Sequence, residues 1–334
     1  IAVRAAMRHP LKAGALTARV FLWGVPRPRH LFRGMLLVPR CLAIVRGLKE
    51  WRPDVVHLFS GHYPSIVGWA VRRCIPDAAL TMFLGAYDLR ERYKGSVAIA
   101  LEADAVITHC EANLRLLNGL GIPRSRTTVV LRGIDLSGLS ELPPVKAPQR
   151  VAIVARLVPR KRVNDAISAF AAIARTHPDA TLEVIGDGPE RTRLMRQVQA
   201  LGIERRVQFV GWLPQKAVFR RLSEAEIFLL LSEHELLPNA AKEAMARRCA
   251  VLLIHTSGVE ELVQDGVSGL VVPVGQTQVA AQALAMLLDQ PMLRTKLAEA
   301  ALRHVKQNFD ACVSAKRLVG VWTKALDRRQ FEEP

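Results

Sequence analysis

Residues 151–211 read VAIVARLVPRKRVNDAISAFAAIARTHPDATLEVIGDGPERTRLMRQVQALGIERRVQFVG. Three short, apolar and largely β-branched runs stand out, Val151–Ala155, Leu182–Ile185 and Val207–Val210. Between them lie Val163–Arg175 and Glu190–Leu201, whose apolar residues recur at helical spacing. Strand–helix–strand alternation predicts parallel strands joined by crossover helices, and runs this continuous suit strands buried on both faces. The same rhythm continues outward. Upstream it gives Val55–Phe59, Ala79–Phe83, Ala105–Thr108 and Thr128–Leu131; downstream it gives Ile227–Leu231, the helical Ala240–Arg248, Val251–Ile254 and Leu270–Val272. A composition break separates the two series at Ser140–Pro148, where three prolines fall within the seven residues from Leu142 to Pro148. Proline lacks the amide donor that a ladder or helix needs, so this stretch reads as an interdomain linker. The expected fold class is α/β, with two doubly wound Rossmann-like domains facing a cleft and ligands at the carboxyl ends of the strands. A chain of 334 residues suits two such domains.

Half the residues are hydrophobic, which marks a globular chain rather than a disordered one. The longest apolar attempt, Met35 to Leu48, is broken by Pro39, Arg40 and Arg46, and no transmembrane helix is expected. The opening residues lack the compact apolar core of a signal peptide. Five scattered cysteines (Cys41, Cys74, Cys110, Cys249 and Cys312) show neither disulfide nor zinc spacing, and are expected as reduced thiols in the cytoplasm. The net charge of +17 is concentrated at the start. Residues 1–53 carry Arg4, Arg8, Lys12, Arg19, Arg27, Arg29, Arg33, Arg40, Arg46, Lys49 and Arg52 against the single acid Glu50, interleaved with Phe21, Trp23, Phe32 and Leu36. Such a mixture suits an anionic lipid interface, so a peripheral position on the inner membrane face is expected. A solvated basic surface is the plainer reading, and nucleic acid would be drawn by the same charge.

The strongest chemical constellation is Glu235-Leu-Leu-Pro-Asn-Ala-Ala-Lys-Glu243-Ala-Met-Ala, which follows a strand and opens a helix. Asn239 is read as the N-cap, and Glu243 as a first-turn carboxylate favoured by the helix dipole. Amides at a helix start offer an anion or hydroxyl site. Glu243 is suited to accept hydrogen bonds from a ribose diol, and Glu235 to approach a sugar or diphosphate. The plainer reading is a helix cap with surface glutamates. Arg156 and Lys161 lie just past a strand end, where fixed cations would neutralise a diphosphate, arginine as a fork and lysine as a point charge. Gly186 and Gly188 permit a tight turn, with Pro189 at the first helical position.

Two glutamates eight positions apart before Ala-Met-Ala resemble the signature of the retaining glycosyltransferases of family 4, the group 1 glycosyltransferases, whose fold is GT-B. The likeness continues in order through Ala155-Arg156-Leu157-Val158-Pro159-Arg160-Lys161, Val184-Ile185-Gly186-Asp187-Gly188-Pro189, Phe209-Val210-Gly211-Trp212, Leu231-Ser232 and Gly258-Val259-Glu260-Glu261-Leu262-Val263. The resemblance implies transfer of a hexose from a nucleotide-sugar donor, with retention, to a lipid-linked or polysaccharide acceptor of the cell envelope. It implies catalytic roles for Arg156, Lys161 and Glu235. It implies donor contacts from Gly186, Gly211, Leu236, Leu237, Pro238, Asn239, Glu243 and Glu261, the last as an orienting carboxylate. No cofactor or metal is implied, the two cations taking that work. Trp212 reads as a packing residue. The expected domains are 1–142 on the acceptor side and 150–310 on the donor side, with 311–334 a helix returning to the first.

The departures from the family pattern carry information. Leu236 stands where glycine is frequent, which bears on the choice of sugar. Leu84-Gly85-Ala86-Tyr87-Asp88 lacks the usual histidine, and Asp88 is expected to take over part of its contact with the sugar. His62 is a second candidate on that side. The family's first strand and glycine-rich loop are not found in residues 1–50, so either the natural chain begins earlier or the protein lacks that loop. Two other classes stay open on this reading: a GT-B-like binding protein without chemistry, for nucleotide, glycan or anionic lipid, and a nucleic-acid binder, for which no recognised module speaks.

Overall fold

The computed structural model describes residues 10–25, 27–137, 146–233 and 235–331, with residues 10–12 and 331 described by their backbone alone. Arg4 and Arg8 of the basic segment, the side chain of Lys12 and the proline-rich stretch up to residue 145 lie outside the described residues. The chain divides into two compact units, Ile1–Leu131 with Ala315–Pro334, and Arg132–Ser314.

In the first unit, residues 10–51 form two helices, α1 (Pro10–Gly24) and α2 (Pro28–Trp51). They precede β1 (Val55–Leu58), α3 (Pro64–Cys74), β2 (Ala79–Phe83), α4 (Ala86–Glu91), α5 (Lys94–Glu102), β3 (Ala105–Thr108), α6 (Ala112–Gly119) and β4 (Thr127–Val129). The sheet runs β1-β2-β3-β4, all parallel. One face buries Leu80 and Met82 against Ile66 of α3 and Ile99 of α5, and Leu16, Val20 and Trp23 of α1 with Val38, Cys41 and Val45 of α2 join that core. The basic segment is therefore partly core, because its apolar residues are shared between an inner and an outer helix face. Trp23 is buried against Tyr93, whereas Phe21, Phe32 and Leu36 stay exposed. The other sheet face packs Ala79, Ala105 and Ile107 against Val321 and Ala325 of a closing helix that spans Ala311–Phe331. No helix among the described residues is long and apolar enough to cross a membrane.

The second unit holds β5 (Arg150–Val154), α7 (Val163–Ile173), β6 (Thr181–Ile185), α8 (Arg191–Ala200), β7 (Val207–Gly211), α9 (Gln215–Glu224), β8 (Ile227–Leu230), α10 (Asn239–Ala246), β9 (Ala250–Ile254), α11 (Val259–Leu262), β10 (Leu270–Val272), α12 (Thr277–Asp289) and α13 (Pro291–Asn308). Its six parallel strands lie in the order β10-β9-β8-β5-β6-β7. Strands β8 and β9 are buried along their whole length, as continuous Ile-Phe-Leu-Leu and Ala-Val-Leu-Leu-Ile runs demand. The chain winds outward from β5 to β7, then returns to pair β8 with the free side of β5. That reversal opens a crevice at the carboxyl ends of β5 and β8, where ligands of doubly wound sheets bind.

Candidate active site

The two segments that leave β5 and β8 meet at this switch point. The β5 segment passes Arg156 and makes a short 3-10 turn, Pro159–Lys161, before α7. The β8 segment carries Ser232, Glu233 and Glu235 before α10. They are laced together. The Glu233 amide donates to the Arg160 carbonyl at 3.3 Å, as does the Ser232 hydroxyl at 3.3 Å. Arg162 donates to Glu233 at 3.0 Å and, from its Nε, to Asp165 at 2.6 Å. Lys161 and Glu235 form an ion pair, each side chain only 18% exposed, and the Ser232 hydroxyl donates to the same Glu235 oxygen at 3.1 Å. The two residues read from sequence as diphosphate cation and sugar contact thus neutralise one another. Arg156 is exposed, and its guanidinium has no partner among the described residues.

Behind Glu235 the loop is fixed from β9. The Thr256 hydroxyl donates to the Glu235 carbonyl at 2.5 Å. Gly258 lies so close to Leu236 that a Cβ there would stand 2.6 Å from its backbone. This contact brings α11, with Glu261 half-buried on it, to the Leu236-Leu237-Pro238 segment. Leu237 and Pro238 are buried, which makes them walls of the loop.

The structure corrects four local readings. Pro238, not Asn239, is the N-cap of α10: Pro238 is extended (φ −64°, ψ 123°), as N-caps commonly are, and the helix opens at Asn239. Asn239 is the first helical residue, and its side-chain oxygen accepts from Lys242 at 3.1 Å. Glu243 consequently sits in the second turn, where the helix dipole is weaker. It accepts a 3.1 Å hydrogen bond from Gln215, the first residue of α9. Burial raises the Glu243 carboxyl above its ordinary value, against the opposing pull of that bond and of Lys242. Pro189 lies before α8, which opens at Arg191. Trp212 is 75% exposed and so does not pack; it stands free beside Gly211.

Gly186 adopts φ +133°, and a Cβ there would lie 1.9 Å from the Ala155 carbonyl oxygen. The glycine is demanded by the protein's own β5 backbone: the Ala155 amide donates to Ile185 at 3.0 Å and the Leu157 amide to Asp187 at 2.9 Å. The Gly186 amide donates to the Gly211 carbonyl at 2.8 Å, so both glycines sit on one rim of the site.

In the first unit Asp88 and His62 are neighbours across two loops. Both Asp88 oxygens are committed: Oδ1 accepts from the Ser60 hydroxyl at 3.0 Å and the Gly61 amide at 2.9 Å, and Oδ2 from the Gly85 amide at 3.1 Å. Asp88 therefore ties the loop bearing His62 to the start of α4. His62 shares a 2.7 Å contact with His30 and stacks on Tyr63. Burial, then the adjacent His30, lowers its pKa. His57 is structural, bonded to Thr81 at 2.8 Å and pushed down to about 4 by burial.

Sequence reasoning missed Gln215, Thr256 and Lys242. Only Lys242 left a signal: a charge beside Ala241, Ala244 and Met245, on the helix face that the sequence otherwise keeps apolar.

The six-stranded unit with paired segments at its switch point, preceded in the chain by a second parallel-sheet unit, defines an α/β protein of the GT-B class. A family model described as Glycosyl transferases group 1 matches residues 140–304, and one described as Glycosyltransferase Family 4 matches residues 5–137. The chain belongs to the group 1 glycosyltransferases, nucleotide-sugar-dependent enzymes of GT-B fold. It is 28% identical over 313 residues to the glycogen synthase of Mycobacterium tuberculosis, covering 86% of this chain and 72% of that protein. It is 27% identical over 287 residues to the lipopolysaccharide core biosynthesis glycosyltransferase LpsE of Rhizobium meliloti, covering 77% of this chain and 82% of that one. The fold is similar to that of HepE from Anabaena, solved in complex with UDP, with a TM-score of 0.74 at 21% identity over 86% of this chain and 83% of the other. With enzymes as its relatives, the non-catalytic alternative is not favoured.

Proposed function

We propose that the chain is a retaining hexosyltransferase of family 4 that moves a sugar from a nucleotide-sugar donor to a lipid-linked or polysaccharide acceptor of the cell envelope. The observation that carries this reading is the Lys161–Glu235 ion pair, which joins the segments leaving β5 and β8 at the reversal of strand order. Negative charge builds on the diphosphate as the sugar–phosphate bond breaks, and cations already in place stabilise it without reorganising. Arg156, unpartnered, takes one face of the diphosphate. Lys161 takes another once the donor draws it from Glu235, which frees that carboxylate for the sugar hydroxyls. Glu243, held by Gln215, accepts the ribose diol. Gly186 and Gly211 line the nucleotide side, Leu236 to Asn239 the sugar side, and Glu261 supports the Leu236 segment. In this scheme no metal or cofactor is called for, since the cations do the neutralising.

His62, with Asp88 holding its loop, serves the acceptor side. The exposed Phe21, Phe32 and Leu36, with the exposed Arg29, Arg33 and Arg40 beside them, support docking of residues 1–53 on an anionic membrane at its inner face. The test is product stereochemistry by proton NMR, with α-linked UDP-, GDP- and ADP-hexoses and polyprenyl-linked acceptors. An α-linked product supports the reading, and a β-linked product overturns retention.

A further inference from the structure

The most deeply buried charged side chain among the described residues of the second unit is Lys242, 0% exposed, and nothing in the transfer scheme uses it. Its ammonium donates to the Arg132 carbonyl at 2.7 Å and to Asn239 Oδ1 at 3.1 Å, and lies 5.3 Å from the centre of the buried Phe309 ring. Residues 132–134 are themselves clamped. The Ile134 amide donates to the Phe309 carbonyl at 2.8 Å, the Ala311 amide returns to the Ile134 carbonyl at 3.0 Å, and Gly133 lies so close that a Cβ would stand 2.6 Å from the backbone of Asp310 and Ala311. Those two stretches are where the chain enters and leaves the second unit.

A buried ammonium is costly unless every donor is well placed. Burial, with the nearby charge of Arg132, pulls this one down to about 8, against Glu243, which favours the charged form. A methionine or leucine would fill the same space at no such cost. What the ammonium supplies, and an apolar side chain does not, is two directional bonds: one fixes the amide of Asn239, leaving its NH2 group for a ligand, and the other anchors α10 to residues 132–134.

We infer that Lys242 is a positioning residue of the donor site: it sets the rotation of α10, and with it Asn239 and Glu243, against the paired backbone of residues 132–134 and 309–311. This rests on the donor-site reading above. Lys242→Met keeps length and volume and removes the two bonds. With the nucleotide-sugar that the wild-type chain turns over fastest, the donor KM rises about tenfold, the cost of one hydrogen bond to a charged group, while kcat at saturating donor stays within about twofold. A merely structural lysine would instead lower kcat with the folded fraction and leave KM alone, and that result overturns the inference. Amide hydrogen exchange on the same pair of proteins gives a readout free of the donor reading. Residues 132–135 and 239–243 exchange faster together in Lys242→Met, with α7 and α12 unchanged. Unchanged exchange at both segments would contradict the link even if no nucleotide binds, whereas faster exchange without any nucleotide response would uphold the link and remove the donor reading.

Discussion

The Lys161–Glu235 pair makes the sharpest demand on the account. Each side chain is 18% exposed, so neither charge is well solvated once its partner is gone. Breaking a fully buried pair costs about 3–5 kcal/mol, and one-fifth exposure reduces this to roughly 2 kcal/mol for Lys161→Met or Glu235→Gln alone. Glu235→Gln also leaves the Ser232 hydroxyl without its carboxylate. In a unit spanning Arg132–Ser314, about 2 kcal/mol corresponds to a fall in Tm of roughly 4–8 °C. The double variant removes both charges and should lose little more than either single one, a coupling of about 1–2 kcal/mol. Urea unfolding of the four proteins, followed by far-ultraviolet circular dichroism, measures it. Activity should behave differently. Lys161→Met loses about 2–4 kcal/mol of transition-state stabilisation, and the second mutation restores none of it. If the single stability effects add within about 0.5 kcal/mol, the two side chains do not pair in the free enzyme, and release of Glu235 by the donor has no basis.

Glu243→Gln should raise the donor KM about tenfold. A carboxylate that accepts ribose hydroxyls must be ionised, so in the wild type donor affinity is full above the raised pKa and lost as pH falls through it, at a higher pH than for an ordinary glutamate; isothermal titration across pH 4–7 shows this limb, and the variant lacks it. Gly186→Ala drives a Cβ into the Ala155 carbonyl at φ +133° and should cost about 3 kcal/mol or more, read as a fall in Tm of at least roughly 6 °C. His57 has a folded pKa near 4 against 6.5 for the free side chain. The unfolded chain therefore binds the extra proton first, and stability held above about pH 6.5 drains by about 2–3 kcal/mol as pH falls toward 4. In His57→Phe, urea midpoints measured over that range should lose this slope.

The sheets were legible because their information is local. A run such as Ile227–Leu231 has no polar residue to place on a second, solvated face, so it reads as a strand buried on both sides. What could not be read was pairing across distance. Lys161 and Glu235 are 74 positions apart, and each looked like a free charge. Trp212 looked like core because tryptophan usually is, yet it follows a left-handed glycine that turns it outward. Asn239 has the chemistry of a cap, but Pro238 already supplies the extended residue one position earlier. Residues 10–51 mix arginine with aromatic residues in a way that suggests a surface, and only the packing of α1 and α2 shows which of them enter the core.

The most direct test is the thermal stability of the purified chain against UDP-, GDP- and ADP-sugars, with Glu243→Ala alongside. A ligand at about 100 times its Kd adds roughly 2.7 kcal/mol to the unit that binds it. The account predicts a rise of several degrees with one nucleotide, absent in the variant. No rise with any of them, or an equal rise in Glu243→Ala, would contradict the donor site proposed at the carboxyl ends of β5 and β8.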